Sequence, residues 1–266
     1  MIDFSVKNSP FLSHHCAVSL HERYIMLIGG WNGRVRLSDV FVYDTAEEKW
    51  IQVRTQGFNA GAGLSSHAAV VLSNNDILVI GREGGLRMQR RSGNAFLLRG
   101  DMKSRSFTYT EQAMGVSSRS GHTAHILLSR LVIYGGRGDK AIEIHDGYRS
   151  SSSQHHRSAS FVDKLVAKKE DLKTVTKPPC GRKHHIAVAG REALLIHGGE
   201  TFDGKSREPV GEVFLLTFKP HMSWYKVDVI AGRAGHVGIA YGDSLIIHGG
   251  EEGRSSVSSS TLKIDL

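Results

Sequence analysis

The chain has 266 residues, 40% of them apolar, and carries a formal net charge of +8. This length is sufficient for one large domain with a substantial core, and the composition is ordinary for a soluble fold. No run approaches the roughly 18 apolar residues of a membrane span, and residues 1–6 lack the features of a signal peptide, so we expect neither membrane insertion nor secretion. The two cysteines, Cys16 and Cys180, follow no pattern and indicate a reducing compartment, the cytoplasm or the nucleus.

One sequence motif, the repeated phrase of this chain, recurs five times. It consists of a histidine, a short apolar segment, a tight turn, a second apolar segment and a glycine pair. The histidine and the first glycine are 14 residues apart in the first two copies and 13 apart in the other three. Each apolar segment is too short for a helix and is bounded by turn residues, so it predicts a β-strand. The copies begin at His15, His67, His122, His185 and His236.

A third apolar segment follows the glycines, and a fourth segment with an aromatic residue comes after it, at Trp50, Phe107 and Trp224. Each repeat therefore predicts four antiparallel strands, which form one blade of a β-propeller. The predicted strands are 15–18, 24–28, 40–43 and 49–53 in the first repeat, 68–72, 77–80, 95–98 and 106–110 in the second, 122–127 and 131–134 in the third, and 185–188, 194–197, 212–216 and the segment from Trp224 in the fourth.

The third repeat is the longest, because 63 residues separate its histidine from the next one. Counting back from His185 places its third strand near 160–165 and its fourth strand near 172–175. Residues 138–159 remain between the strands and include a run of serines. Their low apolar content predicts an insertion without regular structure.

The two ends of the chain complement each other. The fifth repeat reaches a third strand at 261–265, and residues 4–6 look like a fourth strand without its first three. If the N-terminal strand joins the last three strands, it completes a fifth blade and removes exposed strand edges. The alternative is a six-bladed ring that lacks one blade and stays open.

These repeats resemble those of the kelch family of β-propellers, which have a period of about 50 residues, and the likeness covers nearly the whole chain. The resemblance implies an all-β propeller that forms one domain over residues 1–266 and serves as a protein-interaction module or scaffold. Less generic stretches resemble small cyclin-interacting members of the family, which implies a cyclin A-type partner and a cell-cycle role. Relative to those members, the chain is expected to lack one N-terminal blade. The stretches are 64–67, 81–85, 89–91, 118–122 and 198–201.

A second hypothesis is a propeller enzyme that processes a carbohydrate, as a mutarotase does, or that depends on a metal. The 15 histidines suggest a metal site, but the repeat histidines lie at equivalent positions of different blades. Each is therefore expected to form a hydrogen bond within its own blade. No catalytic triad, phosphate-binding loop or carboxylate pair is recognisable, so we predict no enzymatic activity, no cofactor and no metal.

Three arginines precede a repeat histidine by three residues each. Gathered near the axis of a propeller, they would form a pocket for a carboxylate or an acidic peptide; alternatively, each ties adjacent blades together. The loop after Gly81 is also basic, and the tryptophan after the first glycine pair is expected on an exposed loop. We expect a monomer, and nucleic acid fits poorly because the basic segments lack interleaved aromatic residues. The predicted binding residues are Trp31, Arg82, Arg90, Arg91, Arg119, Arg182 and Arg233.

Overall fold

The computed structural model of the chain leaves several short segments undescribed. The predicted strand at 4–6, Arg90, Arg91 and the serine run at 150–153 lie outside the described residues. The closure of the last blade by residues 4–6 therefore stays a prediction. The described ranges are 9–59, 63–83, 95–137, 142–149, 159–201, 208–253 and 256–265.

The chain forms two compact units, residues 1–120 and 121–266, and β-strands dominate both of them. The predicted all-β class is confirmed, since the described residues contain a single α-helix. No helix in this part of the chain is long and apolar enough to cross a lipid bilayer. A single domain over residues 1–266 stays a prediction.

The first sheet confirms the four strands predicted for the first repeat. Alternate side chains are buried, as at Val18, Met26 and Val42, because successive residues of a strand point to opposite faces of the sheet. The antiparallel strands lie side by side in chain order: β1 (Cys16–Leu20), β2 (Tyr24–Trp31), β3 (Arg36–Asp44) and β4 (Lys49–Ile51).

The second sheet belongs to the same unit and confirms the strands of the second repeat. Its strands are β5 (Arg54–Gln56), β6 (Ala68–Val71), β7 (Ile77–Ile80), β8 (Ala95–Asp101) and β9 (Ser106–Glu111). Strands β6 to β9 are antiparallel in chain order, whereas β5, which continues from the first repeat, runs parallel to β9 at the outer edge. Val18 and Met26 of the first sheet share one core with Val79 and Phe96 of the second, so the two sheets pack face to face.

The second unit begins with a three-stranded antiparallel sheet, which consists of β10 (Ser120–Leu127), β11 (Arg130–Arg137) and β12 (Ile142–Asp146). Strand β12 lies within the range assigned to the insertion, so the prediction of a third strand near 160–165 is wrong. Its pattern Ile-Glu-Ile-His-Asp alternates apolar and polar residues, as a strand with one buried face requires.

Residues Ala159–Ala167 form helix α1 where that strand was predicted. Phe161, Val162 and Leu165 are buried, and their spacing places them on one side of a helix, which packs beside the fourth and fifth repeats. A 3-10 helix at Lys169–Asp171 connects α1 to β13 (Lys173–Val175). A strand is thus present near 172–175, as predicted, but its assignment to the third repeat is wrong because it pairs with the sheet of the fourth.

The fourth sheet has the antiparallel order β15-β16-β18-β19 and carries β13 at its outer edge, next to β19, with β14 and β17 forming a separate short pair. Strand β13 thus completes the sheet of the following repeat, just as β5 does in the first unit. The bounds are β14 (Arg182–Lys183), β15 (Ile186–Ala189), β16 (Ala193–His197), β17 (Glu200–Thr201), β18 (Glu212–Thr217) and β19 (Ser223–Val229).

The fifth sheet contains β20 (Val237–Tyr241), β21 (Ser244–His248) and β24 (Thr261–Asp265), and the short pair β22 (Glu251–Gly253) and β23 (Ser256–Val257) lies between the last two in sequence. Strand β24 confirms the predicted segment 261–265. Within this unit, one core joins the third sheet to the fourth through Tyr134 and Ile196, and another joins the fourth to the fifth through Leu195 and Ile247.

Candidate functional site

In the fourth repeat, two histidines explain the glycine pair. A side chain at Gly199, where φ is +93°, would lie 2.9 Å from Cβ of His185, the histidine of the same repeat. A side chain at Gly198, where φ is +75°, would lie 2.6 Å from Cε1 of His236, the histidine of the next repeat. Only glycine tolerates both the left-handed backbone and the close approach, so the pair marks the place where neighbouring blades meet.

Backbone hydrogen bonds join neighbouring repeats at the same place. The amide N–H of Gly30 donates to the carbonyl of Leu64 at 2.8 Å, and that of Gly199 donates to the carbonyl of Arg233 at 2.7 Å. In the second repeat Arg82 stands in place of the second glycine, yet its N–H still donates to the carbonyl of Arg119, at 3.0 Å. Leu64 and Arg233 each lie three places before a repeat histidine, His67 or His236, and each anchors its repeat to the preceding repeat of the same unit.

Two repeat histidines bind the preceding repeat through their rings. Nε2 of His185 lies 3.0 Å from Oγ1 of Thr123, and Nε2 of His236 lies 3.0 Å from Nδ1 of His197. The expectation that each histidine bonds within its own blade is therefore wrong for these two. The residue before the glycines also takes part, because Tyr134 meets the ring of His185 edge to face at 5.1 Å.

Arg182 and Arg233 are buried, and each guanidinium binds groups of its own repeat. Arg182 donates to the carbonyl of Gly198 at 3.2 Å and pairs with Glu212 at 3.1 Å. Arg233 donates to the equivalent carbonyl, that of Gly249, at 2.9 Å and pairs with Glu252 at 3.0 Å. The glycine carbonyls, which the left-handed backbone turns away from the sheet, thus receive their donors from the arginines.

The third predicted arginine of this set, Arg119, lies in the first unit, is 2% exposed and donates to Oγ of Ser117 at 2.7 Å. Its burial, like that of the other two, means that a ligand would have to displace internal bonds to reach a guanidinium. A direct role of these arginines in binding a carboxylate stays a prediction. The alternative role, in which each arginine ties adjacent blades together, also stays a prediction.

The remaining predicted binding residues lie in two places. Arg82 is buried, and its burial lowers the pKa of the guanidinium below its usual value. Trp31 is half-buried at the end of β2, where the guanidinium of Arg36 lies 5.9 Å from the centre of its ring. Arg36 and the neighbouring Phe11 were not predicted from the sequence, although the Asn-Gly turn that follows Trp31 is a recognisable signal of a hairpin.

Within the described ranges, no three histidine, cysteine, aspartate or glutamate side chains converge closely enough to hold a metal ion. The pair formed by His197 and His236 is buried, and the second nitrogen of His197 lies 3.2 Å from the carbonyl of Ala231. Both rings therefore serve the packing of the fourth and fifth repeats.

Acidification should destabilise the protein through these histidines. Burial lowers the pKa of His197 to about 4 and that of His236 to about 3, from an ordinary value of 6.5. Below about pH 6.5 these histidines are protonated in the unfolded chain but remain neutral in the folded chain. Each therefore lowers the free energy of unfolding by up to about 1.4 kcal/mol per pH unit. Denaturant unfolding should give a midpoint that is constant near neutral pH and falls as the pH drops from about 6.5 towards 4. An unchanged midpoint over this range would show that the rings are not buried as neutral groups.

The repeated β-sheets, together with the glycine contacts that join neighbouring repeats within each unit, are those of a β-propeller of the kelch type. Residues 13–56, the first repeat, match the family model described as Kelch motif. The chain is 30% identical to mouse Kelch domain-containing protein 9 over 94% of this chain and 76% of the relative. The identity to the human protein of that name is 29%, over 96% of this chain and 78% of the relative.

A more distant similarity reaches a plant protein. The chain is 26% identical to Acyl-CoA-binding domain-containing protein 5 of Arabidopsis thaliana, over 92% of this chain but 36% of that protein. The chain belongs to the kelch-repeat family, on the strength of its similarity to the mouse protein. Kelch-repeat proteins are generally protein-interaction modules, and this membership favours a binding role over an enzymatic one.

Proposed function

We propose that this kelch propeller is an intracellular protein-interaction module whose partner is a cyclin A-type protein. Family membership is the observation that carries the binding role. The cyclin A-type partner rests on the resemblance of stretches such as 64–67 and 118–122 to cyclin-interacting kelch proteins. Such a partner belongs to the nucleus and the cytoplasm, the compartments that the unpatterned cysteines favour.

The contacts of the polar residues indicate that the repeated residues stabilise the blades, whereas other residues bind the partner. The repeated histidines and arginines are engaged between and within blades, as for His236 and Arg182. We therefore expect the partner to contact side chains that are exposed to solvent and that differ from repeat to repeat. Trp31 is our first candidate, because tryptophan and arginine are enriched among the residues that contribute most to the energy of protein interfaces.

Binding of purified cyclin A to the immobilised chain tests this proposal. We expect saturable binding, and we expect Trp31→Ala to weaken it about tenfold, since truncation of an interface tryptophan removes a large contact. Trp50→Ala is the matched control, because Trp50 packs against Tyr43 of its own sheet, with ring centres 5.3 Å apart. Absence of saturable binding by the unmodified, folded chain would refute the cyclin A-type partner.

A further inference from the structure

The hairpin of β2 and β3 in the first repeat, together with the neighbouring Phe11, forms a partly exposed aromatic and basic surface. Trp31 lies opposite Arg36 in the ladder between β2 and β3. On its other side Trp31 exchanges two backbone hydrogen bonds with Ser13, at 2.9 and 2.7 Å. Oδ1 of Asn32 accepts the N–H groups of Arg34 and Val35, each at 2.9 Å, and so fixes the turn. The backbone of this surface is therefore ordered without a ligand.

Val35 of the hairpin and the neighbouring Phe11 expose apolar side chains to solvent. Phe11 is 85% exposed and Val35 is 53% exposed. A side chain added at Gly33 would touch the ring of Phe11, which places that ring beside the turn. We call Phe11, Trp31, Arg34 and Arg36 the hairpin patch; large apolar side chains exposed next to arginine are typical of the centre of a protein interface.

The hairpin patch lacks a carboxylate that three other repeats carry. The position after the glycine pair, or after its equivalent in the second repeat, holds Glu83, Glu200 and Glu251 in three other repeats, whereas it holds Trp31 in the first. In the fourth repeat Glu200 is paired with Lys183 on the neighbouring strand, and their side chains form an ion pair at 3.1 Å. Trp31 and Ser13 are the equivalent pair in the first repeat. The first repeat thus replaces a carboxylate by an aromatic ring.

Among the described residues, no carboxylate forms an ion pair with the basic groups of the hairpin patch. Around the hairpin, in residues 9–59 and 63–83, neither Arg34 nor Arg36 forms an ion pair. Arg34 is exposed, and Arg36 is half-buried against the indole ring. Two guanidinium groups on an ordered hairpin can donate to carboxylates, and each can bind one carboxylate through two parallel hydrogen bonds.

We propose that the hairpin patch binds an acidic segment of a partner protein that carries one apolar residue among its carboxylates. The carboxylates bind Arg34 and Arg36, and the apolar residue packs on Phe11 and Trp31. This partner class deepens the proposed function and rests on it. The opposite charges attract, and the apolar contact supplies an affinity that salt does not screen.

The test uses the full chain and a short fluorescent peptide in which glutamates flank a central leucine. A second peptide replaces the glutamates by glutamines, and a third replaces the leucine by glycine. We expect saturable binding of the first peptide and binding at least about tenfold weaker for each of the other two. Equal binding of the glutamine peptide, tighter binding of a single-stranded oligonucleotide, or no binding of the first peptide would overturn the proposal.

Two double variants locate the binding surface. Arg34→Glu with Arg36→Glu should abolish peptide binding, whereas Arg54→Glu with Lys103→Glu, the same change of charge at exposed positions of the same unit, should retain it. Unchanged circular dichroism and melting temperature would show that both variants fold. Equal affinity of the two double variants would overturn the assignment to the hairpin patch.

Cyclin A binding by the same variants separates the two proposals. If the peptide binds at the hairpin patch but cyclin A does not bind, the proposal for the hairpin patch is supported and the proposal of a cyclin A-type partner is refuted. If cyclin A binds equally well to both double variants, the partner stands and the hairpin patch is not its site.

Discussion

Arg182→Ala should lower the free energy of unfolding by about 3 kcal/mol, the lower end of the range for removing one partner of a buried ion pair. The guanidinium is fully buried, and its loss leaves the carbonyl of Gly198 without that donor. The effect stays at the lower end because the side chain of Glu212 is 36% exposed and can be hydrated after its partner is removed.

Denaturant unfolding of Arg182→Ala and of a surface control measures this effect. Arg191 pairs with Asp163 at 3.3 Å, but its side chain is 79% exposed, so Arg191→Ala should cost less than about 1 kcal/mol. Unchanged stability of Arg182→Ala together with lost partner binding would favour the axial pocket over the structural role.

Gly198→Ala should be destabilising by about 2–5 kcal/mol, the combined cost of a left-handed alanine and an overpacked contact. The added methyl group would meet the ring of His236 at 2.6 Å and the carbonyl oxygen of Arg233. Both groups belong to the next repeat, so the substitution forces two sheets apart.

Gly181→Ala is the control for this substitution, because a side chain at Gly181 meets nothing within 4 Å. Its free energy of unfolding should stay within about 0.5 kcal/mol of the parent value. A Gly198→Ala variant as stable as the Gly181→Ala variant would show that the glycine pair does not lie between packed blades.

The blades were predictable because the histidine and the first glycine of each copy are separated by 13 or 14 residues. Two strands joined by a tight turn fix that distance, and only a left-handed glycine fits at its end. The partner of each histidine was not predictable, because His185 and His236 reach residues of another repeat that local spacing does not connect to them.

The third repeat shows why the remaining elements were misplaced. Counting strands back from His185 assumed a constant order of elements, and helix α1 interrupts that order. The short apolar group of Phe161, Val162 and Leu165 is compatible with a strand as well as a helix when periodicity is the only criterion. The alternation in β12 was the better signal.

The roles of the arginines were left open by the sequence for a physical reason. An arginine in a repeated position can bind a shared ligand or tie adjacent blades together, and both uses need the same spacing. The guanidinium groups of Arg182 and Arg233 instead bind the carbonyls of Gly198 and Gly249 in their own repeats, a contact that the spacing does not reveal.

Hydrogen exchange at the amides of Gly30, Arg82 and Gly199 tests most directly whether the repeated phrase joins neighbouring blades. Each of these N–H groups donates to a carbonyl of the next repeat. We predict exchange at least about a hundredfold slower than in an unstructured peptide, because exchange requires neighbouring sheets to separate. Exchange of all three amides at the rate of an unstructured peptide would contradict the account.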